Sequence, residues 1–336
     1  MSRFVIVGAG AVGALLAAQL HQGGIDTVLV ARGENLEVIR RNGLTIHRPD
    51  RTEVIQVPVV GSPDDVGLRP DDILVVATKA QDADSALGEW AWRPVADGGL
   101  AADLPVVTIH NGLAAENMAL RRFARLHAAT MWIAASHLSA GEVVSPSWPV
   151  VGIVWIGPLG RALEAESSAI AAQLRLAGYL AHEVPDIAGV KAHKLLGNLS
   201  NALDLFEGDS AEIDAARAAI SAEAVAVYDA AGIDVVDPST LHPASLTQLD
   251  IRPVSGQVNG RRSTWQSFAR GSSSEVDYLN GEIVLLGRVH GIPTPVNERI
   301  QRVLGELAVT GGGARPRDIA TLREHPTPSL AHHTTH

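Results

Sequence analysis

Phe4-Val5-Ile6-Val7-Gly8-Ala9-Gly10-Ala11-Val12-Gly13-Ala14-Leu15-Leu16 is the stretch that decides the fold. Phe4 to Val7 is a short apolar run of β-forming side chains, and Ala14 to Leu20 is a helix-forming one. The glycines between them keep the spacing G-x-G-x-x-G. Gly8 permits a tight turn, Gly10 lets the backbone approach a diphosphate, and Gly13 lets the helix pack closely on the strand. The opening turn of the helix, with Ala11 and Val12, then aims free N–H groups and the helix dipole at that anion. Glycines recur by chance, so the spacing alone is weak. Following a strand and opening a helix, it predicts a dinucleotide site.

The uncharged run from Phe4 to Leu20 also resembles the core of a secretory leader. Only Arg3 precedes it, however, and it runs on into His21-Gln22-Gly23-Gly24, a helix stop rather than a cleavage site. The strand-then-helix reading is preferred.

Further strand-like runs are Thr27 to Val30, Ile73 to Ala77 and Val106 to Ile109, with shorter ones at Leu44 to Ile46 and Val54 to Val57. Continuous apolar strands separated by helix-length segments predict a parallel sheet covered on both faces. From Gly141 to Gly157 the texture suits antiparallel strands, and Ala162 to Ala177 reads as a helix. After Pro185 the pattern stays helical: Ala211 to Ala231, Ser274 to His290 and Pro295 to Leu307. The expected division is an α/β Rossmann domain over 1–184 and a helical domain over 185–310. Residues 311–336 lose apolar periodicity and read as a frayed tail, in which His332, His333 and His336 are more readily solvated than metal-bound.

A chain of 336 residues suits two domains, and 46% hydrophobic residues suffice for a core. Only 4% are aromatic, so that core is built mainly from Ala, Val, Leu and Ile. A formal net charge of −10 argues against nucleic acid or an anionic membrane as partner, while leaving room for a local cationic pocket. With no cysteine, disulfides, thiolate catalysis and cysteine metal sites are excluded, which suits the cytoplasm. A small-molecule substrate and no metal are expected. The sequence leaves oligomeric state open, a homodimer among the options.

Val30-Ala31-Arg32-Gly33 ends the second strand, where an NAD-binding chain usually carries an acidic residue for the ribose 2′-hydroxyl. Arg32 can instead grip a 2′-phosphate with paired hydrogen bonds, so NADP (as NADPH) is the expected cofactor. Thr78-Lys79 and His110-Asn111-Gly112 follow two further strands and therefore lie on the carboxyl edge, where ligands bind. Lys79 and Asn111 are assigned to the cofactor there. Asn111-Gly112 alone would pass for an ordinary turn dipeptide. In Lys191 to Asn201, Lys194, Asn198 and Asn201 fall on one face of a helix at about 100° per residue.

These residues together carry a resemblance. The chain resembles the ketopantoate reductase family in the glycine loop at 8–13, Arg32, Thr78-Lys79, Asn111-Gly112 and Lys194-Leu195-Leu196-Gly197-Asn198. The likeness continues through Ser263, Ser274-Glu275-Val276-Asp277-Tyr278-Leu279-Asn280-Gly281 and His290-Gly291-Ile292-Pro293-Thr294-Pro295. It implies a Rossmann domain with an all-helical C-terminal domain of the 6-phosphogluconate dehydrogenase-like type, reducing 2-dehydropantoate with NADPH. It implies Lys194 as general acid and a catalytic Glu275 that binds substrate and favours the charged lysine. It also implies Asn111, Asn198 and Ser263 around substrate and nicotinamide ribose; Asn201, one place before the family's second amide and on the face of Lys194, is expected to replace that amide at the substrate.

There are departures. His110 stands where the family has Gln, Ala202 where it has a second amide, and Thr264-Trp265 follow Ser263 in place of Met-Leu. They concern substrate more than chemistry, so a reductase of another ketone, 2-oxo acid or imine is the main alternative. A non-catalytic dinucleotide sensor is the remaining one, and it would have no use for Lys194 and Glu275.

Overall fold

The computed structural model describes residues 2–160, 163–243, 246–254, 262–271 and 274–323. Its strands are β1 Arg3–Val7, β2 Thr27–Val30, β3 Leu44–His47, β4 Thr52–Ile55, β5 Val59–Val60, β6 Asp72–Val76 and β7 Pro105–Thr108. There follow β8 Arg125–Trp132, β9 Ser136–Ser139, β10 Glu142–Val144, β11 Ile153–Leu159, β12 Leu180–Glu183, β13 Phe206–Glu207 and β14 Arg317–Asp318. The helices are α1 Ala11–Gln22, α2 Gly33–Asn42, α3 Ala80–Ala91, α4 Ala114–Leu120, α5 Glu164–Leu176 and α6 Ile187–Leu199. They continue as α7 Ser210–Ala231, α8 Pro238–Leu241, α9 Ser263–Ala269, α10 Asn280–His290 and α11 Pro295–Thr310.

One sheet of eight strands runs β12-β11-β8-β7-β6-β1-β2-β5. All its pairs are parallel except β8 with β11. Successive residues of a strand face opposite sides, and β1 shows the result: Phe4 and Ile6 join a core with Leu15, Leu16 and Ile170, while Val5 and Val7 join one with Leu87, Trp90 and Phe123. That two-sided burial is why the run had no polar alternation to read. The antiparallel strands after residue 135 are divided: β9 and β10 pair in a smaller sheet, β4-β3-β10-β9, while β11 pairs with β8 in the large one.

Among the described residues the chain forms two compact units, Met1–Leu195 with Ile233–Gly260, and Leu196–Gly232 with Arg261–His336. The division expected at Val184-Pro185 instead falls within α6. Ile187 and Val190 pack with Trp155 and Val184, so the first turns of that helix stay with the sheet. Residues from Ile233 return to the first unit: Val236 N–H donates to the Gly189 carbonyl at 3.1 Å and His242 stacks on His182 at 3.9 Å.

In the second unit α7 ends at a left-handed Gly232, and Gly291 and Gly311 close α10 and α11 in the same way. The helix expected from Ser274 begins only at Asn280. A separate 3₁₀ turn, Val276–Tyr278, precedes it, and Ser274 Oγ accepts from the Val276 N–H at 3.1 Å. The tail expected from Gly311 is shorter than it reads: β14 pairs with β13, and Ile319 and Leu322 are buried. Two apolar anchors were too few to show as periodicity. His332, His333 and His336 lie outside the described residues. No described helix is long and apolar enough to cross a membrane.

Candidate active site

The glycine turn has the geometry its spacing demands. Gly8 has φ +113°, and a Cβ there would meet the Ala77 carbonyl group at 3.0 Å. A Cβ on Gly13 would lie 2.0 Å from the Gly8 carbonyl oxygen, so only glycine lets α1 sit this close to β1. Gly10 differs: a Cβ would meet nothing within 4 Å. Gly10 is also the N-cap of α1, and no side chain caps that terminus. An open face before uncapped N–H groups fits a diphosphate, with Ala11 and Val12 in the first turn.

Arg32 caps α2 and is 68% exposed, with its guanidinium paired to Glu89 of α3. Glu89 was not singled out in the sequence, because the pairing crosses two helices. Nor was Asn35, whose Nδ2 donates to the Ala9 carbonyl at 3.4 Å while its Oδ1 accepts from the Gly141 N–H at 2.9 Å. It ties the glycine turn to the small sheet.

The ends of β6 and β7 meet, as the Rossmann reading expects. Thr78 Oγ1 lies 3.4 Å from His110 Nε2, Gly112 turns with φ +80°, and Lys79 caps α3. Asn111 is half-buried in that turn. His110 is only 4% exposed, and burial together with the charge of Lys191 pushes its pKa down to about 3. It is therefore a neutral imidazole.

Helix α6 carries two lysines one turn apart. Lys191 is 2% exposed and paired with Glu116 of α4 at 3.0 Å; Lys194 is half-buried. The Lys194 ammonium donates to the Met131 carbonyl and lies 5.4 Å from the centre of the Trp132 ring, a favourable cation–π placement. Met131 and Trp132 end β8, so the ammonium is carried to the carboxyl edge of the sheet.

In the second unit, Asn198 sits in the last turn of α6 and is half-buried. Asn201 is buried but does not continue that helix: Ser200–Leu205 is a 3₁₀ turn. A 3₁₀ segment turns about 120° per residue rather than 100°, which over the two residues from Leu199 to Asn201 adds only about 40°. Asp204 explains itself structurally. Its carboxylate takes the Arg262 guanidinium at 2.6 Å and the Arg262 N–H at 2.8 Å, fixing the start of α9, where Ser263 is exposed. Glu275 is half-buried ahead of the 3₁₀ turn. Ala202 is buried and Trp265 half-buried.

A parallel sheet opened by a strand–glycine–helix turn, with a polar carboxyl edge and a lysine-bearing helix, defines a Rossmann-type dinucleotide-binding protein. Residues 4–160 match the family model "Ketopantoate reductase PanE/ApbA", and residues 188–308 match that of its C terminus. The chain belongs to the ketopantoate reductase family, a family of oxidoreductases.

Among curated relatives, the 2-dehydropantoate 2-reductase of Archaeoglobus fulgidus is 25% identical over 309 residues, 89% of this chain and 96% of the relative. That of Caulobacter vibrioides is 28% identical over 319 residues, 92% of this chain and all of the relative. The fold is shared with the PanE/ApbA family ketopantoate reductase of Ralstonia eutropha, at TM-score 0.74 and 24% identity, covering 93% of this chain and 100% of that one. A D-mandelate dehydrogenase solved with NADH and anilino(oxo)acetate also shares it, at TM-score 0.75 and 20% identity, with the same coverage.

Proposed function

We propose that this protein reduces 2-dehydropantoate to pantoate with NADPH, a cytoplasmic step of pantothenate biosynthesis, with Lys194 as the general acid. The observation that carries the reading is the placement of the Lys194 ammonium at the carboxyl end of β8, half-buried and held by the Met131 carbonyl. It stands on the edge where the Rossmann fold presents its ligands.

Gly8, Gly10, Ala11, Val12 and Gly13 would hold the diphosphate, Arg32 the 2′-phosphate, and Lys79 with Asn111 the remainder of the cofactor. A nicotinamide bound there would supply the hydride. As the new C–H bond forms, the carbonyl π pair moves onto oxygen and an alkoxide develops. The Lys194 ammonium stabilises that charge and then delivers its proton, leaving an alcohol and a neutral amine. By the family resemblance Glu275 would favour the charged lysine, and Asn198, Asn201 and Ser263 would supply hydrogen bonds to substrate.

One observation favours a second reading, a different 2-oxo acid: buried Ala202 stands where the family has a second amide. A panel of 2-oxo acids with NADPH separates the two. Highest kcat/KM on 2-dehydropantoate supports the first, and a clear preference for another member of the panel supports the second. No turnover on any of them would refute both.

A further inference from the structure

We propose that Lys191 is a positioning residue, whose buried ammonium fixes the segment leading into Asn111 against the helix that carries Lys194. The inference deepens the reductase reading and rests on it for its catalytic consequence.

Lysine is almost never fully buried unless its donors are satisfied. Those of Lys191 reach three elements: Glu116 Oε1 of α4 at 3.0 Å, the His110 carbonyl just past β7 at 2.7 Å, and the Ala129 carbonyl of β8 at 3.5 Å. Glu116 is anchored in turn by Thr108 Oγ1 of β7 at 2.7 Å. One ammonium on α6 therefore joins β7, β8 and α4.

Topology explains why it fits. Pairing of β7 with β8 ends at Ala128, while β8 continues to Trp132. The strand thus outruns its neighbour, and two of its later carbonyls, those of Ala129 and Met131, are taken by Lys191 and Lys194. Both lysines of α6 dock on one strand end, the inner one entirely within protein.

Stability alone does not account for this choice. Well-packed apolar side chains stabilise a core as well as a buried ion pair does, or better. What the ammonium adds is direction, because its bond to the His110 carbonyl fixes the peptide group that enters Asn111. His110 beside it stays a neutral imidazole far below neutrality, its pKa pushed down to about 3 by burial and the charge of Lys191. Its Nδ1 and Glu116 Oε2 are buried there without hydrogen bonds, so small shifts would leave this cluster poorly satisfied.

The test compares wild type with Lys191→Met and with Lys191→Met/Glu116→Gln, which keeps side-chain shape while removing both buried charges. Readouts are Tm, NADPH affinity by fluorescence titration, hydrogen exchange of residues 109–113, and kcat and KM on 2-dehydropantoate. The single variant strands Glu116 and loses stability. The double variant should recover Tm and bind NADPH within about threefold of wild type, yet exchange faster over 109–113. Its kcat should fall by roughly 10–100-fold, the scale of a small misplacement of reacting groups, with KM changing less.

A double variant with wild-type Tm, exchange and kcat would overturn the proposal. If it does not fold, Lys191→Arg keeps the charge opposite Glu116 but changes the donor geometry; kcat should then fall by about tenfold or more, and a kcat within twofold of wild type overturns the proposal. If the wild-type protein reduces no 2-oxo acid, the reductase reading falls by itself. Exchange rates then decide the tether, and unchanged rates over 109–113 overturn it.

Discussion

Two alanine substitutions in the glycine turn should fail in opposite ways. Gly13→Ala places a Cβ 2.0 Å from the Gly8 carbonyl oxygen and 2.9 Å from the Ala77 Cβ. The nearest neighbour is main chain, so α1 must lift from β1 by roughly an ångström. Overpacking of this kind costs about 1–3 kcal/mol, and a backbone neighbour argues for the upper end. At about 2–4 °C per kcal/mol for a domain of this size, Tm should fall by roughly 5–10 °C.

Gly10→Ala meets nothing within 4 Å, and φ −76°, ψ −174° suits alanine. Only the poorer N-cap counts against it, at most about 1 kcal/mol. The new methyl nevertheless stands where the diphosphate is proposed to lie, so NADPH affinity should fall by about tenfold or more, equivalent to ~1.4 kcal/mol. Thermal denaturation and NADPH fluorescence titration on both variants decide the matter. A Gly10→Ala protein that binds NADPH like wild type would refute the placement of the diphosphate. A Gly13→Ala protein with unchanged Tm would refute the packing argument.

Arg32→Ala should weaken NADPH by about tenfold or more, as expected for a lost charge-assisted bond, and NADH far less; equal loss of both would remove the 2′-phosphate role. Glu89→Gln, which frees Arg32 from its present partner, should tighten NADPH in the same titration. His110 supplies a pH signature. Its folded pKa of about 3 lies below the unfolded 6.5, so below pH 6.5 the unfolded chain binds the extra proton and stability falls with pH. That contribution is fully present above pH 6.5 and is lost at up to about 1.4 kcal/mol per pH unit down to pH 3. His110→Gln should flatten denaturation midpoints over this window, while buried His127 keeps a residual slope of the same sign. Asn201→Ala should erase much of any preference for 2-dehydropantoate over its deoxy analogue, since a buried amide is what penalises the missing hydroxyl.

What the sequence made legible was local. The glycine turn, its strand and its helix are contiguous and carry their own steric reasons, so their geometry could be read before folding. Gly232 and Gly291 stop their helices for an equally local reason. The missed features depend on tertiary contact. Arg32 could be read as a phosphate ligand but not as the partner of Glu89, 57 residues away. Lys191 looked like one more polar residue on a helix, because its burial is decided by β8 outrunning β7. The 3₁₀ turn at Ser200–Leu205 was not legible either, because one period was assumed throughout. Asp204 acquires its purpose only when Arg262 arrives from 58 residues away.

The most direct test of the account is the turnover of Lys194→Ala with NADPH and 2-dehydropantoate beside that of wild type. Loss of a general acid should lower kcat by about 100-fold or more, while NADPH affinity stays close to wild type because the glycine turn and Arg32 hold the cofactor. A Lys194→Ala enzyme with near-normal kcat would contradict the assignment of the proton donor.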